Sequence, residues 1–353
     1  MEKNAFDFFK NRKSNIDKNT VNLKDAFKDY FLIGTALNHY SLTNDSIETE
    51  LTKKHFNLIV AENCTKMESI YKSETELDFS KANDFLTFGK CNNFQMRWHT
   101  LVWHAQNPDW IFKDNDGNLV SKEVLENRLK HYIRSVMNYC KGFQVSSFDV
   151  VNEVISDKTF GLRTKEDHSL WYQILGPDYI DKAFIWAHEA DPKAELVIND
   201  YNLEIIPQKR QAMYDLVKGM LQREIPVSAV GLQMHISVKN PPVEQIEETI
   251  NLFGSLGVKV LVTEMDVSVY ESEKEARKEY TAELLEEQAQ RYGELFECFK
   301  RCAKKGYLEK VILWGVTDIT SWKNFFPVPG RTDIPLLFNA DGSTKPAFDR
   351  IVK

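Results

Sequence analysis

The chain of 353 residues is 42% hydrophobic and 12% aromatic, enough to fill a large core, with 27% charged residues to solvate its surface. Its formal charge of -7 is spread without blocks of one sign, so no basic surface is available to gather phosphates and nucleic acid is not an expected partner. No stretch reaches the roughly 20 apolar residues of a membrane span, and Asp7 breaks the short apolar patch near the start before it can form a signal-peptide core.

From the N-terminus onward, residues 1–22 read as an extension or first helix. After them, short β-branched runs alternate with stretches of helical period. The spacing predicts strands over Phe31–Leu37, Leu58–Ala61, Phe94–Val102, Ser147–Val151, Leu196–Ile198, Ala229–Met234, Val258–Thr263 and Val311–Val316. Between them, Leu125, Leu129, Ile133, Val136 and Cys140 mark one helical face with Ser121 as its N-cap. Val243, Ile246, Ile250 and Phe253 mark another, stopped by Gly257. Eight strands, each fed by a helix and with no linker between them, predict a single α/β domain, a (β/α)8 TIM barrel over residues 23–353. The segment Asp318–Leu337 is too long and too aromatic for a routine connection and is expected to lie over a site.

The five cysteines, Cys64, Cys91, Cys140, Cys298 and Cys302, are an odd, sparse set with no C-x-x-C pair. They suit a reducing compartment, so a cytoplasmic location is expected; a secreted protein with its signal removed would read the same. Cys298 and Cys302, four apart in a helical stretch, read as buried thiols on one face.

In a barrel of parallel strands, reactive groups stand at the C-terminal ends of the strands. Here those ends carry Asn38-His39, Glu62-Asn63, His99 with Trp103-His104, Asn152-Glu153, Asn199-Asp200-Tyr201, Gln233-Met234-His235, Glu264-Met265-Asp266 and Trp314. Any one polar residue there has a bland role as a cap, but the joint pattern places Glu153 and Glu264, on the fourth and seventh strands, across one barrel mouth. Cleaving a glycosidic bond needs one carboxyl to protonate the leaving oxygen and another to attack the anomeric carbon, about 5 to 5.5 Å apart when configuration is retained. Their surroundings must then differ, since one holds a proton that the other lacks. Asn152 and Gln233 suit hydrogen bonds to sugar hydroxyls or to the nucleophile, and His235, two residues beyond Gln233 on a strand, shares its side and would keep Glu264 ionised. Of the seven tryptophans, Trp103, Trp314 and Trp322 fall at or after strand ends, where flat rings can pack on sugars.

These residues carry a resemblance. AENCTKMESI, RWHTLVWHAQNPDW, FDVVNEV, VINDYNLE, GLQMHI, LVTEMDVS and ILWGVTDITSWKNFFPVPGRTDIPLLFNADGSTKPAF resemble, in order, the strand motifs and C-terminal loop of glycoside hydrolase family 10, the endo-β-1,4-xylanases, from about Leu23 onward. The resemblance implies a retaining endo-xylanase with Glu153 as acid/base and Glu264 as nucleophile. It places Asn152, Gln233, His235, His99, Lys66, Trp103, Trp314 and Trp322 around the sugar at the cleavage point. Glu62 and Asn63 would hold the next sugar on the non-reducing side, and Tyr201 and Asn202 would face the leaving group. Xylan and short xylo-oligosaccharides are the implied substrates, as for the family's intracellular members, with no metal, no cofactor and no carbohydrate-binding module for insoluble wall. Trp98 departs from the family's usual glycine and is expected to crowd the rim, and Cys64-Thr65 replaces a more polar residue followed by Met. Three other readings stand beside this one: a metal-dependent barrel hydrolase using His39, His99, His104 and His235, a non-catalytic sugar-binding barrel, and a related cellulase or mannanase. The sequence leaves the oligomeric state open.

Overall fold

Eight short apolar segments pair edge to edge as a closed ring of parallel strands. In the computed structural model, which describes residues 14–44 and 46–353, they are β1 (Leu32–Leu37), β2 (Leu58–Ala61), β3 (Gln95–Trp98), β4 (Val145–Asn152), β5 (Glu195–Asp200), β6 (Ala229–Leu232), β7 (Lys259–Ser268) and β8 (Leu308–Leu313). Each strand pairs with the next, and β8 returns to β1 with Leu32 opposite Lys310. Eight helices alternate with them: α1 (Ile47–His55), α2 (Ser80–Cys91), α3 (Lys122–Cys140), α4 (Tyr179–Ala190), α5 (Pro207–Gln222), α6 (Val243–Gly254), α7 (Ala282–Lys304) and α8 (Pro346–Val352). This is the expected (β/α)8 barrel.

The helical faces read from sequence are the buried ones. Leu125, Leu129, Ile133, Val136 and Cys140 are all buried on α3, and Ser121 Oγ accepts the Val124 N–H at 3.3 Å as its N-cap. On α6, Ile246, Ile250 and Phe253 are buried, and Gly257 follows in the left-handed region at φ 84°. These faces meet outward-pointing strand residues such as Ile59, Phe148 and Val260 in one apolar layer between strands and helices.

Several strand limits differ from expectation, each for a local reason. Pairing of β3 lapses over His99–Leu101, where the His99–Thr100 peptide is cis, and resumes at Val102–Trp103. β6 stops at Leu232, and Met234 at φ 61° turns the chain before a separate strand His235–Ser237 pairs with β7. β8 begins at Leu308, before the expected Val311, because the charged Lys310 points into the barrel and hides the strand pattern. Its Nζ bonds both carboxylate oxygens of Glu195 across the interior, at 2.7 and 2.8 Å.

Trp98 corrects an expectation. It is fully buried in the apolar layer facing the helices, because it alternates with Arg97, whose side chain points inward. It therefore does not crowd the rim. Of the expected N-terminal extension, residues 1–13 lie outside the described residues, and 14–22 form no helix but tie down through the Asn15 N–H to the Asp341 carbonyl at 2.9 Å. Cys298 and Cys302 are both buried on α7, and all five cysteines are free. Among the described residues, no helix is long and apolar enough to cross a membrane.

The segment Asp318–Leu337 forms two short 3-10 turns braced from within. Asn324 donates to the Asp318 carbonyl and accepts from the Asp333 N–H, each at 2.8 Å, while Lys345 Nζ sits 2.8 Å from the Asp318 carboxylate. So fixed, the loop sets Trp322 edge-on to His235, ring centroids 4.8 Å apart.

Candidate active site

Glu264 stands on β7 and is only 5% exposed. Its Oε1 accepts from Asn199 Nδ2 at 2.8 Å, its Oε2 lies 3.3 Å from His235 Nε2, and His99 Nδ1 is 3.8 Å from Oε1. Burial alone would push this carboxyl up, but the charge of His99, the bond and charge of His235 and the Asn199 bond together hold it below the ordinary value. Each histidine is in turn held by a buried aspartate: His99 Nδ1 to Asp149 Oδ2 at 2.9 Å, and His235 Nδ1 to Asp266 Oδ2 at 2.8 Å. Burial disfavours charge on His235, yet Asp266 and Glu264 outweigh it and raise the ring to about 9. At neutral pH both of its ring nitrogens therefore donate, and Trp322 Nε1 completes the cluster by donating to Asp266 Oδ2 at 2.8 Å.

Asn199 reaches Glu264 because β6 offers Gly231 beside it. A Cβ on Gly231 would fall 2.3 Å from Asn199 Oδ1, so any larger residue would displace the amide. Thr263 Oγ1 donates to that same oxygen at 2.6 Å, which fixes the amide with its Nδ2 toward the carboxylate.

Glu153 follows the last residue of β4 and sits in the left-handed region at φ 57°, uncommon for a residue with a side chain. Its N–H bonds the Asn199 carbonyl at 2.8 Å and its own carbonyl accepts from Arg163 Nε at 2.9 Å, so the turn is held from both sides. Its carboxylate receives Trp103 Nε1 at 2.8 Å, Gln233 Nε2 at 3.0 Å and Asn152 Nδ2 at 3.2 Å, all neutral donors. His104 lies 3.9 Å away, and burial, aided by the charge of Arg163, pushes its ring down to about 4, so it too is neutral. Three amides link the carboxylates: Asn152 and Gln233 bond Glu153, and Asn199 bonds both Asn152 Oδ1, at 2.8 Å, and Glu264. The two glutamates thus share one small hydrogen-bonded cluster at the barrel mouth.

Around this pair the other expected residues divide. Trp314, 8% exposed, packs edge-on to His99 at 5.2 Å and closes the mouth near the β8 end. It shares a small recess with Glu62 and Trp322. Lys66 Nζ bonds Asn63 Oδ1 at 2.9 Å and lies 4.9 Å from the Trp103 ring, joining the β2 and β3 ends. Burial raises the Glu62 carboxyl against the charge of Lys66. Tyr201 and Asn202 stand on the opposite side, beyond β5. The Tyr201 hydroxyl donates to Asp157 and accepts from Arg163 at 3.3 Å, and Lys209 Nζ lies 3.6 Å from the Tyr201 ring centroid. Thr65, in one of the family departures, donates its hydroxyl to the His99 carbonyl. Among the described residues no group of three or more His, Cys, Asp or Glu gathers as a metal site; His39 bonds Asp84 at 2.8 Å instead.

Sequence reasoning placed Asn199 and Asp266 at strand ends without a role and missed Asp149, Arg163 and Gly231. Two left a signal. Asp149 and Asp266 are charged residues inside otherwise apolar strands, where an ion must find a partner. Gly231 in β6 marked a close approach, but nothing in the sequence said of what.

The sequence profile of glycosyl hydrolase family 10 matches residues 22–353. The chain is 41% identical over 347 residues to endo-1,4-beta-xylanase C of Paenibacillus barcinonensis, covering 96% of this chain and 32% of that protein. It is 39% identical over 334 residues to an endo-1,4-beta-xylanase of Geobacillus stearothermophilus, covering 94% of this chain and 97% of that one. Among solved structures, it superposes on a family 10 enzyme from Paenibacillus barcinonensis with a TM-score of 0.92 at 40% identity, covering 95% of this chain and 97% of that chain. The intracellular xylanase of Thermoanaerobacterium saccharolyticum, solved with xylotetraose, gives 0.86 at 39% identity, covering 96% of this chain and 100% of that chain. The chain spans about a third of the length of several curated relatives that it matches, 32%, 28% and 30% for three of them.

Proposed function

The chain belongs to glycosyl hydrolase family 10, and from that premise we propose that it is a retaining endo-1,4-β-xylanase acting on xylan and xylo-oligosaccharides. Glu264 attacks the anomeric carbon while Glu153 protonates the departing glycosidic oxygen; Glu153 then takes a proton from the water that releases the glycosyl-enzyme. The observation that carries this reading is the unlike company of the two carboxyls. Glu264 lies between His99 and the charged His235, which keep it an anion ready to attack. All hydrogen bonds to the Glu153 carboxylate among the described residues come from neutral groups, Trp103, Asn152 and Gln233.

The substrate-binding roles follow. Asn152, Gln233, His99, His235, Lys66, Trp103, Trp314 and Trp322 surround the sugar being cleaved. Glu62 and Asn63 hold its non-reducing neighbour, and Tyr201 and Asn202 face the leaving group. Residues 23–353 act as one catalytic unit. Five unpaired cysteines, four of them buried, support a reducing, cytoplasmic setting.

The test is a product profile on xylobiose through xylohexaose, with cello-oligosaccharides in parallel and NMR of the first-formed anomer. Internal cleavage of the xylo-series to an initial β-product is expected, undiminished by a strong chelator. An initial α-product or a preference for the cello-series would overturn the reading.

A further inference from the structure

The loop Asp318–Leu337 carries more aromatic surface than the cleavage point uses. Phe325 and Phe326 are 64% and 59% exposed, above every other large apolar side chain among the described residues. Adjacent rings left in water on a soluble surface call for a partner. Phe326 is not a loose ring: it stacks on Trp322 with centroids 5.4 Å apart and planes at 15°. Trp322 is itself pinned through Nε1 to Asp266 at 2.8 Å. Behind it, Asn324 ties the loop at both ends. Phe326 also lines a cavity of about 440 Å³ together with Asn202, His235 and Lys323. That cavity lies on the Asn202 side of Glu264, away from Glu62 and the recess it shares with Trp314.

We propose that Phe326, carried on Trp322, is a stacking platform for a xylose ring in the leaving-group half of the substrate. The proposal rests on the xylanase reading and adds to it a residue that selects chain length. A pyranose presents a face of C–H groups that pairs well with an exposed aromatic ring, while Asn202 and Lys323 in the same cavity can meet its hydroxyls. Because this sugar takes no part in the bond that breaks, its binding serves to hold the scissile bond against Glu153 and Glu264. A short substrate with an aryl leaving group carries no xylose in that half to stack there.

The experiment compares Phe326→Ala and Phe326→Tyr with the unsubstituted enzyme on xylohexaose and on p-nitrophenyl xylobioside, with cleavage sites read by reducing-end isotope labelling. For Phe326→Ala the ratio of kcat/KM on xylohexaose to that on the aryl substrate falls about 3- to 10-fold, the scale of one aromatic contact. Cleavage moves toward the reducing end, leaving fewer sugars in the leaving group, and tyrosine restores both. An unchanged ratio, or equal losses on the two substrates, would overturn the platform while leaving the xylanase reading intact. Unsubstituted enzyme that cleaves neither substrate would overturn both.

Discussion

The ends of β4 and β7 present the same functional group in two different settings. At β7, Glu264 is buried, flanked by two histidines and braced by Asn199. At β4, Glu153 projects from a left-handed turn among a tryptophan and two amides, with a neutral His104 nearby. The difference teaches that role is set by neighbours: the carboxyl beside a charged histidine is held as an anion, whereas the other takes its hydrogen bonds from neutral groups alone.

The sharpest way to break this contrast is to remove each carboxyl. Glu264→Ala is expected to lose at least about 10⁴-fold in kcat on xylan and on dinitrophenyl xylobioside alike, since no leaving group replaces a nucleophile. Glu153→Ala is expected to lose about 10² to 10⁴-fold on xylan but to keep a burst on the dinitrophenyl substrate, whose leaving group needs no proton. Steady-state and burst kinetics of both variants decide it. Equal behaviour on the activated substrate would erase the distinction.

A smaller effect is expected at the brace. Asn199→Ala removes a hydrogen bond to a charged group and should cost about 10- to 100-fold in kcat/KM. Gly231→Ala should reproduce that loss with Asn199 itself unsubstituted, because its new Cβ would lie 2.3 Å from the amide oxygen and displace it. If Gly231→Ala retained full activity, the brace would not matter.

The cationic partner gives a subtler readout. In the wild type, Glu264 is ionised below the ordinary carboxylate range and His235 stays protonated up to about 9. His235→Asn removes that charge, so the Glu264 carboxyl rises and the acid limb of kcat/KM should move to higher pH. An acid limb that stays in place would assign the depression to His99 and Asn199 alone. The smallest effect belongs to Trp98: Trp98→Phe should lower Tm by a few degrees through lost packing and leave the product pattern unchanged.

The barrel was legible in the sequence because its outer layer obeys hydrophobic periodicity. The faces of α3 and α6 and most strands could be read directly. The interior was less legible, since ions paired across the barrel interrupt the pattern, as Lys310 and Glu195 do at β8 and β5. Trp98 misled for a related reason: one residue of register decides whether a side chain meets the sugar or the helices. The two glutamates stood out because their motifs end strands. Asn199 ended a strand too, but its role stayed hidden, because what distinguishes it is a long-range contact permitted by a glycine on the neighbouring strand.

The central claim is that Glu264 and no other residue forms the covalent intermediate. Incubation with an activated 2-deoxy-2-fluoro-xylobioside, followed by mass spectrometry of the intact protein and its peptides, tests it most directly. A single added disaccharide mapped to Glu264 is the expected result; an adduct on Glu153, or inactivation with no adduct at all, would contradict it.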